Sequence, residues 1–188
     1  MPLTLPIAGI DFETSGHSRF QKAQPMQIGL AVRYPSGTYS IIADSLLGGA
    51  THLTYHAKRT HGISLEACRG KPRTESFWPQ VQKISQNMPL CAHNIPTERK
   101  ILQEKFPWKP CRWIDTCTIS RRLLPDCPNH TLETVTHHLG KTRALQSLFQ
   151  KKSWHNALFD AVASLLIVEG ILERFPEAQL DDLITHHI

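Results

Sequence analysis

No stretch of the chain approaches the roughly 20 consecutive apolar residues that a bilayer crossing needs. With 40% hydrophobic and 20% charged residues, the composition is that of a globular protein. A helical membrane span is excluded. The N-terminus lacks the basic segment, apolar run and small-residue cleavage site of a secretory signal, so a cytoplasmic location is expected. Cysteine is sparse and odd in number: Cys68, Cys91, Cys111, Cys117 and Cys127 include no Cys-x-x-Cys pair. That spacing argues against a disulfide framework or a common structural zinc site, and leaves reduced thiols. Internal repeats, low-complexity tracts and composition breaks are also missing, so the 188 residues, 1–188, are expected to form one domain. What the chain does have is a formal charge of +5, which suits a polyanionic partner without establishing one.

Apolar periodicity outlines the elements. Leu3 to Phe12 reads as a buried strand ending at carboxylates, with Thr14, Ser15 and Gly16 as turn formers behind it. Met26 to Tyr34 and Tyr39 to Leu46 read as two more strands around a Pro35-Ser36-Gly37 turn. Helical spacing predicts Glu75 to Asn87 as a helix, then a short strand at Leu90 to Ala92 and a helix opening at Pro96 and running to about Lys105. Trp113-Ile114 predicts a strand that passes at Asp115-Thr116 into a helix carrying Ile119, Leu123 and Leu124. After a loop to His130, Leu132 to Leu139 reads as a helix closed by Gly140, and Ala157 to Phe175 as a long helix that is apolar nearly all round. Strands first and alternating helices and strands afterwards predict an α/β fold with a mixed sheet of about five strands, flanked by helices on both faces.

Three separated segments carry the chemistry. In Asp11-Phe12-Glu13 the two carboxylates lie two apart on an extended segment and so share a face. They repel unless a cation sits between them, and hard divalent ions with phosphate co-ligands suit such oxygen sets. His93-Asn94 is followed by Glu98 near a helix start. His155 and Asp160 are five apart, which within one regular helix would leave them on nearly opposite sides. They converge only if 153–156 is loop, Asn156 or a neighbour caps the helix, and Asp160 lies in its first turns. His155 is then a suitable general base for deprotonating water.

These segments, Asp-Phe-Glu-Thr-Ser-Gly, Ala-His-Asn with Glu98, and His-x-Ala-Leu-x-Asp-Ala, resemble the three motifs of the DEDDh 3′-5′ exonucleases, the group that includes the bacterial proofreading subunit. His61-Gly62-Ile63-Ser64 and Asp115-Thr116 resemble its linking segments. The similarity spans about residues 5–170, with a C-terminal tail after about 176. The resemblance implies a ribonuclease H-like fold and hydrolysis of the terminal phosphodiester with two Mg²⁺ or Mn²⁺ ions, releasing nucleoside 5′-monophosphates from a 3′ end. Because a terminal base must leave its stack to enter such a site, single-stranded or frayed DNA, or RNA, is the expected substrate. It implies metal binding by Asp11, Glu13, Glu98 and Asp160, with Asp11 bridging both ions and His155 taking the proton. It also implies contacts to the terminal nucleotide from Phe12, Thr14, His17, His61, Ile63 and Asn94.

The chain departs from the family at Glu98, where the motif has Asp. The charge is kept and the side chain is longer by one methylene, so an active enzyme with altered metal preference is expected. The competing reading is a noncatalytic module of the same fold that binds nucleic acid or protein, against which the retained His155 argues. Arg99-Lys100, Arg121-Arg122 and Lys151-Lys152 are candidate backbone contacts, and Trp113 and Trp154 candidate stacking residues, Trp154 the better placed. The chain carries no polymerase domain, so a free-standing nuclease is the simpler expectation, with a homodimer as one arrangement and the oligomeric state otherwise open.

Overall fold

The computed structural model describes residues 3–106 and 112–186; Cys111 lies outside them. β1 (Ile7–Thr14), β2 (Pro25–Arg33) and β3 (Tyr39–Leu46) form an antiparallel meander. β4 (Leu90–Ala92) and β5 (Arg112–Asp115) continue the sheet in parallel on the other side of β1, and β6 (Thr185–His186) adds an antiparallel edge. The order across the sheet is β3-β2-β1-β4-β5-β6. The expected mixed sheet is therefore present, with a two-residue sixth strand drawn from the C-terminal tail.

Helices cover both faces. Alternate residues of the strands divide between them: Ala8, Ile10, Phe12, Ile28, Leu30 and Leu90 pack with α2 (Trp78–Asn87) and α3 (Pro96–Lys105). Ile7, Ala31, Cys91 and Ile114 face the other way, towards α4 (Thr116–Leu123), α5 (Leu132–His138), α6 (Thr142–Leu148) and α7 (Ala157–Arg174). α7 lies between the sheet and α5, and fifteen of its eighteen residues are buried. This is why it reads as apolar all round. No helix among the described residues is long and apolar enough to cross a membrane.

Three boundaries differ from the sequence reading. β1 begins at Ile7, where its pairing with Arg33 of β2 begins, and it runs through both carboxylates to Thr14 instead of ending at them. The helix expected from Glu75 opens as a 3₁₀ turn over Thr74–Phe77, and its α-helical part starts at Trp78, with Pro79 in the first turn. Two short helices were not anticipated, α1 (Tyr55–His61) and α6. Each buries a single residue of its own, Ala57 or Leu145, and so leaves almost no apolar period to read. Trp113 is fully buried in the core, and Trp154 packs edge-on to Phe159 at 5.0 Å. Trp113 therefore offers no face for a base, whereas Trp154 stays half-buried.

Candidate active site

β1 presents Asp11 and Glu13 on the face where α7 packs. The close approach depends on glycine. A Cβ at Gly9 would lie 2.3 Å from the Ala161 carbonyl oxygen, and one at Gly29 would lie 2.2 Å from Ala157 backbone atoms. Gly29 is the β2 partner of Asp11, so α7 starts directly over the carboxylates. Gln27, the partner of Glu13, accepts from the Ala157 N–H at 3.2 Å and fixes that start. Asn156 caps the helix, its side chain accepting from the Phe159 N–H.

His155 precedes the cap at a left-handed φ of 66°, which swings it out of the helical path. Its backbone N–H donates to Asp160 Oδ2 at 3.1 Å. The five-residue spacing thus closes on itself, and ligand atoms of Glu13, His155 and Asp160 all lie within 4.8 Å of one another.

The other side of the site comes from β4. Asn94 also has a left-handed φ, 72°, and its N–H donates to Asp115 Oδ1. That oxygen also accepts from the Cys117 and Thr118 N–H groups at the start of α4. Asp115 therefore joins the β4 turn to α4. His93 bridges Thr116 Oγ1 and the His130 carbonyl, each at 2.9 Å, and so serves the scaffold. The turn delivers α3 with Glu98 in its first turn, only 4% exposed.

Burial dominates the electrostatics. It pushes Glu13 up to about 7. Asp160 rises to about 8 through burial and then Glu13, with the His155 N–H opposing. Glu98 rises to about 8 through burial, against its own backbone N–H, with Asp115 and Glu13 adding repulsion. Asp11 is raised well above the usual carboxylate range by burial and then by Glu98, Asp160 and Glu13. Crowding and burial make the ionised forms of these four acids costly, and a cation among them would compensate that cost. The donor set fits a hard divalent ion, because Asp160 Oδ1 and Glu98 Oε2 are buried without any hydrogen-bond partner.

A cleft of about 290 Å³ opens beside these acids, lined among others by Phe12, Glu13, Thr14, Asn94 and Glu98. His61 lines it too, yet both its ring nitrogens are engaged: Nδ1 accepts from the Ile63 N–H and Nε2 donates to the Thr14 carbonyl. Ile63 and His17 do not line this cleft. His17 instead accepts from the Ala23 N–H within its own loop. Sequence reasoning missed His56, Ala57 and Thr60 of α1, which form one wall. The signals that could have revealed α1 are its ends: Thr54 caps it, and Gly62 closes it in a left-handed conformation.

A mixed sheet with a 3-2-1-4-5 core, ending in four clustered carboxylates and one histidine, defines a nuclease of the DEDDh class. The chain belongs to the RNase T exonuclease family, whose family model matches residues 8–168. It is accordingly a 3′-5′ exonuclease by family. Solved structures show the same fold. The nuclease domain of 3′hExo, a DEDDh family member bound to rAMP, is 14% identical with a TM-score of 0.72, the alignment covering 97% of each chain. Exonuclease X in complex with 5′-overhanging duplex DNA is 23% identical with a TM-score of 0.66, covering 96% of this chain and 97% of that one. A 3′-exonuclease recognising the histone mRNA stem-loop is 11% identical with a TM-score of 0.69, over 93% of this chain and 84% of the other. No curated protein matches the chain significantly.

Proposed function

We propose that the chain hydrolyses the terminal phosphodiester of single-stranded or frayed DNA from the 3′ end, releasing nucleoside 5′-monophosphates, with two Mg²⁺ or Mn²⁺ ions. The observation that carries this reading is the convergence of Asp11, Glu13, Asp160 and Glu98 around buried carboxylate oxygens that lack any partner. Asp11, Glu13, Asp160 and Glu98 would hold the ions. Ions in such a site supply charge for the phosphate oxygens and lower the pKa of a bound water.

The remaining chemistry belongs to the side chains. His155 is exposed on its loop with its ring within reach of Glu13 and Asp160, so it can take the proton as water attacks phosphorus and the bond to the 3′ oxygen breaks. Its backbone N–H on Asp160 Oδ2 sets the ring's position and leaves Oδ1 for the cation. The cleft beside the acids takes one nucleotide, which favours an end already unstacked. A DNA substrate is supported by the relative with the highest identity among the three structures, which was solved on duplex DNA with an overhang; RNA is the other class to assay.

Product analysis tests the reading. Digestion of unlabelled single-stranded DNA with Mg²⁺ should yield nucleoside 5′-monophosphates by chromatography and nothing after chelation. Release of 3′-monophosphates or of internal fragments would refute it.

A further inference from the structure

We propose that the outer face of α1 is the track for the single-stranded nucleic acid just upstream of the nucleotide being removed, with Tyr55 as its base-stacking platform and Arg59 as its phosphate contact. This rests on the exonuclease reading of the cleft.

The cleft wall formed by His56 and Thr60 is shared with a second hollow, of about 350 Å³, lined by Tyr55, His56, Arg59 and Thr60. The two hollows therefore adjoin at His56 and Thr60 of α1, and the second is of a size to admit a small ligand such as a nucleotide. Tyr55 is 76% exposed, among the most exposed large hydrophobic side chains of the described residues. Its neighbour Arg59 lies with its guanidinium carbon 6.0 Å from the ring centroid, which steadies the ring while leaving the cation open to a phosphate.

Charge points the same way. α1 contains no acidic residue and carries Lys58 and Arg59 in its last turn, beside a site where acids converge. A polyanion running out of that site is attracted along α1. The helix is also well seated. The Thr54 N–H donates to the Ser15 carbonyl, Ala57 is buried, and His61 reaches the Thr14 carbonyl. A base stacked on Tyr55 would thus be held in fixed relation to Glu13. The track selects single strands, because a base can meet the ring only when its own face is free.

Binding of 5′-fluorescein-labelled dT₁₀, followed by anisotropy with Ca²⁺ present, tests the track without requiring turnover. Tyr55→Ala should weaken binding about tenfold, and Tyr55→Phe should restore it. Arg59→Ala should weaken binding less and flatten the salt dependence by about one phosphate contact. Arg143→Ala, an equal charge loss on exposed α6, should change nothing. Affinity for thymidine 5′-monophosphate, which has no upstream base, should separate a lost track from a distorted cleft. Wild-type affinity for dT₁₀ in Tyr55→Ala, no dT₁₀ binding by the wild type, or an equal loss for the mononucleotide would each overturn the proposal. Tyr55-dependent binding by a protein that cuts no strand would support the track and remove the catalytic reading.

Discussion

Replacing Gly29 by Ala should damage activity through a residue that touches no substrate. The added Cβ would meet the Ala157 carbon and the Leu158 nitrogen at 2.2 Å, where ordinary contact begins at 3.4 Å. These are backbone atoms that cannot swing aside, so the start of α7 must retreat by roughly 1 Å. Overpacking of this kind costs about 1–3 kcal/mol. Alanine's smaller conformational freedom in the unfolded chain offsets up to about 1 kcal/mol of that. At about 2–4 °C per kcal/mol for a chain of this size, Tm should fall by a few degrees. The larger effect is kinetic. Asp160 and the His155 loop ride on the start of α7, and a displacement near 1 Å in a reacting constellation costs on the order of 100-fold in rate. Gly170→Ala on the same helix is the comparison, because its added Cβ meets side-chain atoms at 3.1–3.3 Å that can yield. Circular dichroism melts and initial rates on a labelled single strand would be read for both. Wild-type rate in Gly29→Ala would refute the claim that the helix-to-sheet spacing sets the site.

Asp160→Asn should abolish cleavage, yet raise the Tm of the metal-free protein. The folded-state pKa of Asp160 is raised to about 8, so the carboxyl stabilises the fold below its ordinary value near 3.9 and loses that contribution as pH rises through about 8. The Tm advantage of Asn should therefore be absent near pH 4 and grow towards pH 8; a difference independent of pH would count against the buried-acid account. Glu98→Asp should keep activity and alter the ratio of Mg²⁺ to Mn²⁺ rates, and identical metal profiles would eliminate altered preference at that position. Glu169→Gln should cost about 2 kcal/mol at neutral pH, because Glu169 receives Arg33 at 2.8 Å and Lys141 at 3.3 Å. Burial raises its pKa, but these cations outweigh it and lower the value overall. Its contribution is thus present above the ordinary glutamate value near 4.3 and lost as pH falls through the lowered one, so denaturant melts of variant and wild type should converge as the pH is taken below that lowered value.

Elements with strong periodicity were legible in the sequence. β3 and α3 have the bounds that the pattern predicts, and the long helix begins at Ala157 because Asn156 is a good cap. The convergence of His155 and Asp160 was also legible, since five helical positions cannot share a face and a loop had to intervene. Other features lie beyond a single sequence. Gly9 and Gly29 read as ordinary strand residues until the path of α7 shows what their missing Cβ atoms permit. Asp115 reads as part of a strand-to-helix junction, and only the folded chain shows its carboxylate accepting from Asn94 across 21 positions. Trp154 reads as a stacking candidate because it neighbours His155, and only the folded chain shows its ring edge-on to Phe159.

A gel assay of 5′-labelled single-stranded and duplex DNA and RNA with Mg²⁺ or Mn²⁺ tests the central claim most directly, with Asp11→Ala and His155→Ala alongside. A ladder shortening from the 3′ end that both substitutions abolish is the predicted result. A strand left intact under either metal, or a ladder that survives either substitution, would contradict the account.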